Sequence, residues 1–390
     1  MGDQESVKIL RSAAEIEDFR ETWKSWQCHP NSDLDFYLTI LRLRPEILRP
    51  HVIVVHQGGS PDAMLVGRVE EREIRFKIGY ATIFKSRARL LVFIYAGLLG
   101  NDSTENCATL AREVMKSLRQ GEADAALLAN VKVDSPLHRF ATRIPFFWAR
   151  DFSPALQPHW SMTLPASVDE VYRRMSEHHR SEIRRKGKKL LAHYEGKVTI
   201  KCFREPVDVS RMIQQVEEIA KKTYQRGLGV GIVDSEEMRQ RLELEAQRGR
   251  LRAYVLYVDE HPSAFWIGSL YGETFHGSYV GYDPAYGKYS PGMFLTMRVI
   301  DEFCHATGRD KVRQIDFGFG DAPYKTLLAN CKWDEASVYI FAPTLKGARL
   351  NALRTSALLV DRTLRRGLER AKLLAKIKRV WRDHASPSQG

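Results

Sequence analysis

The sequence predicts a two-domain protein of the mixed α/β class, and three observations support that prediction. The chain has 390 residues, more than one typical domain needs. Strand-like alternation and helical spacing of apolar residues follow one another in two separate blocks. Between the blocks, residues 150–158 contain two prolines and show no periodicity. We therefore place an N-terminal domain at residues 1–155, a C-terminal domain at 156–345 and a basic tail at 346–390.

The composition, 44% hydrophobic and 28% charged residues, is that of a soluble globular protein. Acidic residues come early and no apolar h-region follows, so we expect no signal peptide. The longest apolar stretch, residues 89–100, is too short to span a bilayer. Five scattered cysteines without a CxxC pair argue against a disulfide framework and a structural zinc site. The sequence therefore predicts a cytoplasmic protein without a metal.

The positive charge is concentrated in the tail. The chain carries a net charge of +12, and the tail from Lys346 onward holds twelve Lys and Arg against three acids. A nucleic-acid-binding face on the body is therefore not expected. Leucines spaced among the basic residues predict an amphipathic helix over residues 351–382, broken near Gly367. Two interpretations stay open: the helix packs on the body, or it contacts a partner or the inner face of the membrane.

The first block predicts helices and strands in alternation. Helical spacing covers residues 16–26 and 34–43, and "HVIVVHQGGSPDAMLVGRVE" is typical of strand, turn and strand. Further strands are expected at residues 73–78, 91–95 and 125–129. A helix over residues 105–119 has Asp102 or Ser103 in position to cap it.

The second block begins with two helices and continues with a meander. Ser167 is placed to cap the first helix, with Glu170 in capping-box position, and the second helix is strongly basic. A strand over 198–203 and helices over 209–222 and 235–247 follow. Three antiparallel strands are then expected, and after them a loop, a helix, a strand, a short helix and a last strand. Their predicted bounds are residues 251–258, 263–271 and 274–282 for the meander, a helix from about 293, strands at 314–318 and 337–341, and a short helix near 324.

The loop "GYDPAYGKYSPG", residues 281–292, connects a strand to a helix and has the character of a phosphate cradle. The N–H groups of the first helical turn and the positive end of the helix dipole suit a pyrophosphate. Gly292 allows close approach of a ligand, Ser290 can cap the helix or donate a hydrogen bond, and Lys288 adds positive charge. A helix start that binds nothing remains the alternative.

The order of elements and two motifs carry a family resemblance. Meander, small-residue loop, helix, strand, short helix and strand is the order of the GNAT acyltransferase fold. "YDPAYGKYSPG", followed by "IDFGFGDAPYKTLLA", resembles the C-terminal half of the acetyltransferases associated with bacterial cellulose and exopolysaccharide synthesis. These CelD/BcsL-type proteins are related to the FemAB-like transferases. The matching positions are Ser290, Pro291, Gly292, Asp316, Gly318, Gly320, Tyr324 and Lys325.

The resemblance covers residues 160–342 well and the N-terminal block loosely. It implies tandem GNAT-like domains with mixed, mainly antiparallel central sheets, followed by the basic helical tail. The general GNAT loop reads Gln/Arg-x-x-Gly-x-Gly/Ala, and of residues 287–292 only Gly292 fits that pattern. Acetyl-CoA, or another acyl-CoA, is thus implied as co-substrate by the family rather than by this loop.

The resemblance also implies roles for individual residues. Tyr324 stands where GNAT enzymes place the tyrosine that protonates the leaving thiolate, although packing on its short helix is an equal alternative. Asp316 and His276 are candidate bases, and an imidazole suits that task near neutral pH. The candidate cofactor-binding residues are Tyr282, Lys288, Ser290, Gly292, Met293 and Lys325.

Four further residues are candidates for binding an acceptor. Arg180 and Arg184 lie on the basic helix, which could hold an anionic substrate or simply face solvent. Tyr224 belongs to a glycine-punctuated loop, and Asp321 to the segment before Tyr324. The expected function is acyl transfer, from acetyl-CoA, to an amine or hydroxyl of a saccharide or polysaccharide precursor. The alternatives are a FemAB-like transferase that draws on aminoacyl-tRNA and a non-catalytic adaptor that acts through its tail.

Overall fold

The computed structural model describes residues 6–78, 81–222 and 231–370. Contacts divide the chain into two compact units, of which the first comprises Met1–Gln157 with Trp333–Leu374 and the second is built on Pro158–Lys332. The boundary after Gln157 lies two residues from the expected one. Residues 333–345, which the sequence assigned to the C-terminal domain, lie in the first unit.

The helices and strands alternate along the whole described chain. Those of the N-terminal part are β1 (Ser6–Leu10), α1 (Ala13–Glu17), α2 (Arg20–Trp26), α3 (Leu34–Leu43), β2 (Ile47–Pro50), β3 (Val52–Gln57), β4 (Ser60–Ile78), β5 (Ala81–Gly100), α4 (Thr104–Arg119), β6 (Ala125–Lys132) and α5 (Pro136–Arg143). Those that follow are β7 (Ala155–Thr163), α6 (Val168–Arg174), α7 (Glu177–His193), β8 (Val198–Phe203), α8 (Val209–Lys221), α9 (Glu236–Gln247), β9 (Leu251–Val258), β10 (His261–Tyr271), β11 (Thr274–Tyr282), α10 (Pro291–His305), β12 (Gln314–Phe319), α11 (Pro323–Leu328), β13 (Cys331–Phe341) and α12 (Leu345–Arg370).

The first unit is a mixed sheet covered by helices. Its strand order is β1-β3-β4-β5-β6-β13, with β2 paired to β4. All pairs are antiparallel except β5 and β6, which run parallel on either side of α4 in the chain. Residues of α4 and α5 form a core on one face, and residues of the first three helices form another. Two parallel neighbours need such a crossover, because the chain must return to the end of the sheet at which the first strand began.

The second unit repeats this arrangement. Its strand order is β7-β12-β11-β10-β9-β8, and only β11 and β12 are parallel. Helices α6, α7 and α10 contribute to the core on one face, whereas α8 and α9 contribute to the other. In both units an antiparallel meander is followed by a helix and then by a strand parallel to the last one. Both sheets are therefore mixed and mainly antiparallel, as the sequence predicts.

Most predicted elements are present, and four of them, α3, β8, β9 and β11, have the predicted bounds. Ser103 caps α4, since its side chain accepts a hydrogen bond from the N–H of Asn106. The capping box at Ser167 is wrong: the N–H of Glu170 is bonded to the carbonyl of Ser167, and the hydroxyl makes no capping bond. The expected break near Gly367 is also wrong, because α12 continues through it to Arg370. One interior glycine costs a helix only about 1 kcal/mol.

Strand β7 is the main element that the sequence analysis missed. It begins within residues 150–158, where a domain boundary without regular structure was expected, and it pairs antiparallel with β12. Pro158 within it is a residue that argues against a strand when only the sequence is considered. Its carbonyl nevertheless accepts a hydrogen bond from the N–H of Gly320 at 2.9 Å. This strand carries His159 into the second unit.

The start of the basic tail packs on the first unit. Leu350 is buried, and Nδ2 of Asn351 donates to the carbonyls of Trp148 and Arg150 at 2.7 and 2.9 Å. Packing on the body is therefore the correct interpretation for this part of the tail. Within the described part of the chain, every helix is too short or too polar to cross a membrane.

Candidate active site

The two parallel strands of the second unit separate soon after they meet. β11 and β12 pair over three positions, Thr274 with Gln314, Phe275 with Ile315 and His276 with Asp316. β11 then continues to Tyr282 along β10, and among the described residues no strand pairs with its other edge over residues 277–282. Backbone N–H and C=O groups on that edge are thus available to an extended ligand. The end of the pairing also fixes His276 and Asp316 side by side.

Asp316 binds two imidazoles and one backbone amide. Nε2 of His159 lies 2.7 Å from its Oδ1, and Nδ1 of His276 lies 3.1 Å from its Oδ2. The N–H of Gly318 donates to Oδ1 at 2.7 Å. His159 is buried, and the side chains of Asp316 and His276 are each only 13% exposed. An ionised carboxylate only accepts hydrogen bonds, so each of these ring nitrogens carries a proton.

These contacts keep Asp316 ionised. Burial raises the pKa of the Asp316 carboxyl, but the hydrogen bonds from His159 and His276 outweigh burial and hold the pKa well below its usual range. With the proton of His276 held on Nδ1, the buried Nε2 is the ring nitrogen that carries no proton in the neutral imidazole. A carboxylate that orients an imidazole in this way is a common arrangement for general base catalysis.

The N-terminus of α10 offers backbone donors next to the end of β11. Its N-cap, Ser290, is in the left-handed region at φ 53° and makes no side-chain capping bond. Pro291 has no N–H, and among the described residues none accepts from the N–H groups of Gly292 or Met293. A Cβ on Gly292 would lie 3.5 Å from Cδ1 of Tyr282, whose ring is half exposed. Free N–H groups at the positive end of a helix suit an anion.

Lys325 is buried beneath the turn that follows β12. Its Nζ donates to the carbonyls of Gly318 and Phe319 at 3.2 and 2.8 Å, and the residue is only 8% exposed. Burial lowers the pKa of this ammonium to about 8, although Asp316 and Asp321 oppose the shift. Lys325 therefore stabilises the turn through these two hydrogen bonds and does not extend into solvent.

Two further predicted residues lie close to this turn. Tyr324, the first candidate acid, is on α11 and half buried, and its ring meets Phe317 edge-on at 6.1 Å between centroids. Asp321 is exposed in the segment before α11. Both are within a few residues of Asp316 in the chain, and Phe317 connects Tyr324 to the core of the second unit.

The loop between β11 and α10 holds its own charged residues in place. Asp283 caps the short helix Pro284–Tyr289 and binds Nζ of Lys222 at 2.6 Å. Lys288 is exposed, with Nζ 4.9 Å from the ring centroid of Tyr289. Met293 packs against the core of the unit. Of the predicted cofactor residues, Tyr282, Ser290 and Gly292 therefore lie together at the helix start, with Lys288 on the adjoining loop.

The basic helix α7 lies against α10 in the same unit. A Cβ on Gly187 would be 3.2 Å from the ring of Phe294, which shows how closely the two helices approach. Arg184 is already engaged, since it pairs with Asp169 at 3.1 Å and its guanidinium lies over the ring of Tyr172. Arg180 is half buried and pairs with no described acid. The candidate substrate residue Tyr224 falls outside the described residues.

Part of the chain matches a known protein family. Residues 177–326 match the model of the acetyltransferase (GNAT) domain family. The chain carries a GNAT-type acyltransferase domain. The matched residues include α10, β11, β12 and the residues around Asp316. No curated protein matches the chain.

Solved structures resemble the chain in fold. FemX is 10% identical to this chain. The structural alignment covers 83% of this chain and 95% of FemX, with a TM-score of 0.52. A tandem GNAT protein from the clavulanic acid biosynthesis pathway is 12% identical; the alignment covers 87% of this chain and 99% of that protein, with a TM-score of 0.47. A GCN5-related N-acetyltransferase from Sphaerobacter thermophilus is 12% identical; the alignment covers 86% of this chain and 96% of that protein, with a TM-score of 0.40. At such identities the likeness to FemX concerns the fold alone. The match of residues 177–326 to the GNAT domain, together with the element order that the first unit repeats, confirms the prediction of two GNAT-like units.

The sequence analysis missed His159. It lies on β7, and only the pairing of β7 with β12 brings it to Asp316. Asp316, the third residue of β12, is thus held between two histidines that are 117 positions apart in the chain. A signal existed in the alternating pattern "HWSMT" of residues 159–163, but the two prolines before it concealed the strand.

Proposed function

We propose that the chain transfers an acyl group, acetyl in the first instance, from an acyl-coenzyme A to an amine or hydroxyl of a saccharide or polysaccharide precursor. The observation that carries the acyl-transfer proposal is the parting of β11 and β12 directly beyond the pair His276 and Asp316. The saccharide part of the proposal is supported by the resemblance of residues 282–292 and 315–329 to transferases associated with exopolysaccharide synthesis.

The separated strand edge and the start of α10 fit the coenzyme. The N–H groups of Gly292 and Met293 suit the pyrophosphate, and the open edge of β11 suits the amide-containing arm. When bound, the coenzyme supplies a thioester whose carbonyl carbon accepts the nucleophile and whose sulfur leaves as a thiolate. Lys288 adds positive charge to the loop beside the helix start.

His276 and Asp316 are proposed to remove the proton of the acceptor. Nε2 of His276 takes the proton as the acceptor nitrogen or oxygen forms its bond to the carbonyl carbon and the carbon–sulfur bond breaks. Asp316 holds the ring in the required tautomer and stabilises the imidazolium that forms. His159 is a positioning residue, because it acts through Asp316. Tyr324 is proposed to donate a proton to the thiolate; the imidazolium of His276 then releases its proton to water and the phenolate of Tyr324 takes one up, which restores both groups.

Calorimetric titration of the purified chain with acetyl-CoA and with free coenzyme A tests the donor. We expect binding by wild type, binding within a few-fold by Gly292→Ala, and a loss of at least about tenfold by Gly292→Asp, whose carboxylate would occupy the anion site. Gly292→Ala is the matched control because its Cβ would make only an ordinary contact with Tyr282. Absence of binding by wild type would exclude acetyl-CoA as donor.

Thiol release measured with a panel of amino sugars and sugar alcohols tests the catalytic roles. His276→Gln should lower kcat by about 10²–10⁴-fold. His159→Gln keeps a side-chain donor toward Asp316 and should lower it less than His159→Leu does. Equal rates in wild type and His276→Gln would remove His276 from the mechanism.

The aminoacyl-tRNA alternative rests on α7. Arg185, Lys188 and Lys189 are exposed there and pair with no described acid, and the helix adjoins α10. If tRNA is the donor, the purified chain should bind it with a strong salt dependence, and Arg185→Glu with Lys189→Glu should abolish that binding. Binding of acetyl-CoA that these changes leave intact favours the acyl-CoA function.

A further inference from the structure

The first unit exposes a cluster of large apolar side chains on its surface. Phe147 and Trp148 are 69% and 59% exposed, and Phe146 and Phe152 are each more than two-fifths exposed. We call these four residues the aromatic patch. A contiguous exposed group of this kind marks an interaction surface more often than a scattered single residue does.

The aromatic patch is built on a well-fixed backbone. Ala149, in the middle of it, is fully buried. Arg150 donates from Nε to the carbonyl of Pro145 at 2.7 Å and from Nη2 to the carbonyl of Arg143 at 2.8 Å. Asn351 of α12 donates to the carbonyls of Trp148 and Arg150, as described above. These bonds fix the backbone so that the aromatic rings face outward.

The rings pack on each other. Phe146 stacks on Trp148 with 6.0 Å between centroids and 13° between planes, and Phe147 meets Phe152 edge-on at 5.0 Å. Such contacts keep the rings ordered at the surface, so little side-chain freedom is lost when the patch is covered.

Positive charge surrounds the aromatic patch. The guanidinium of Arg119 lies 5.0 Å from the ring centroid of Phe146, and Arg139 and Arg143 are exposed on the helix that leads into the patch. The one acid of residues 136–157, Asp151, is buried and paired with Arg354 at 3.3 Å. The basic helix α12 begins beside the patch and exposes Leu359 and Val360 further along.

We propose that the aromatic patch docks the first unit onto an anionic lipid bilayer. Phe147 and Trp148 enter the interfacial layer, where aromatic side chains are favoured, and the arginines around them contact lipid phosphates. The surrounding positive charge favours an anionic surface over a second copy of the chain, because the arginines around two facing patches would repel each other.

Flotation of the full-length protein with vesicles tests this docking. The vesicles consist of phosphatidylcholine alone or with phosphatidylglycerol. Wild type should float with the phosphatidylglycerol vesicles, and Phe147→Ser with Trp148→Ser should lower the partition coefficient at least about tenfold. The matched control, Ile83→Ser with Val207→Ser, removes two exposed apolar side chains elsewhere and should float like wild type.

A depth measurement separates insertion from surface charge binding. Trp148→Phe keeps the apolar area and should still float, while fluorescence quenching by brominated lipid should fall relative to wild type. Failure of wild type to float would overturn the proposal. So would equal flotation of the double serine variant, which would assign binding to the basic tail, or a light-scattering mass showing that the patch pairs two copies instead.

Discussion

At the scale of single residues, the chemistry of the second unit depends on how Asp316 is held. Three donors from three segments of the chain, His159, His276 and the N–H of Gly318, converge on its two oxygens. Removing the negative charge while keeping the shape leaves two shielded imidazoles without an ionic acceptor. Loss of one partner in such a buried arrangement costs more than the intact arrangement contributes.

We expect Asp316→Asn to lower the free energy of unfolding by about 2–5 kcal/mol at pH 7. Because the folded-state pKa of Asp316 is depressed, its contribution is present above the unfolded pKa of about 4 and is lost as the pH falls further. The difference between the two proteins should therefore be constant from pH 7 to about 5 and shrink below 4. Urea denaturation at a series of pH values measures it.

The control for this prediction is Asp321→Asn, which makes the same chemical change at an exposed carboxylate. It should alter the unfolding free energy by less than about 0.5 kcal/mol. A similar loss in both variants would mean that the carboxylate of Asp316 has no special role in stability.

Lys325 should titrate close to pH 8 in the folded protein. Its burial away from water disfavours the charged form, so the folded chain releases this proton at a lower pH than the unfolded chain does. The contribution of Lys325 to stability should therefore rise as the pH increases from about 8 toward the ordinary lysine value. Nuclear magnetic resonance of labelled lysine measures the titration, and loss of the signal in Lys325→Arg assigns it. A midpoint above pH 10 would contradict the buried ammonium.

At the scale of elements, glycines let β10 and β11 pack closely at the site. A Cβ on Gly268 would overlap the carbonyl of His276 and the ring of Phe275. A Cβ on Gly277 would lie 2.7 Å from Nε1 of Trp266. The strand register also shifts between Ile267 and Gly268, so that Ser278 of β11, two residues after His276, has no partner on β10. Small side chains at these positions are therefore a condition for the placement of the histidine.

Gly268→Ala should lower the free energy of unfolding by about 1–3 kcal/mol, since the obstructing atom is backbone and cannot rotate away. The same variant should bind acetyl-CoA more weakly because β11 must move. The matched control, Gly287→Ala, would place its Cβ 3.9 Å from Tyr282 and should be close to neutral. Thermal unfolding and calorimetric titration provide the two readouts. A neutral Gly268→Ala would show that the strand adapts freely.

Most helices and strands could be predicted, because the spacing of apolar residues and the turn residues between the elements were clear. The strands β9, β10 and β11 of the meander are short, largely apolar runs between tight turns, so they could be assigned almost to the residue. β7 could not, because Pro158 is chemically unsuited to most strands and only the pairing with β12 accommodates it. The length of β4 and β5 was likewise underestimated: strands were predicted at residues 73–78 and 91–95, whereas β4 covers Ser60–Ile78 and β5 covers Ala81–Gly100.

At the scale of the molecule, each unit closes its sheet with a strand from beyond its own meander. β13 pairs with β6 in the first unit, and β7 pairs with β12 in the second. The chain therefore returns to the first unit after completing the second. That return places the start of the tail in the core of the first unit.

We expect Leu350→Ala to destabilise the protein by about 2–5 kcal/mol, because Leu350 is buried where α12 meets the first unit. The matched control is Leu359→Ala on the same helix, where the side chain is 55% exposed and the change should stay within about 0.5 kcal/mol. Chemical denaturation of both variants decides whether this helix belongs to the folded unit. Equally small changes in the free energy of unfolding for both variants would show that α12 does not contribute to the stability of the first unit.

The sequence by itself determined the fold class, the order of most elements and the loop at the start of α10. Those features are local, since apolar periodicity, turn residues and helix starts are encoded by neighbours in the chain. It also named Asp316 and His276 separately. Only the tertiary structure decided that His159 completes their arrangement, that Lys325 is buried, and that residues 333–345 return to the first unit. Each of these depends on pairing between strands or helices far apart in the chain, and no local pattern specifies such a partner.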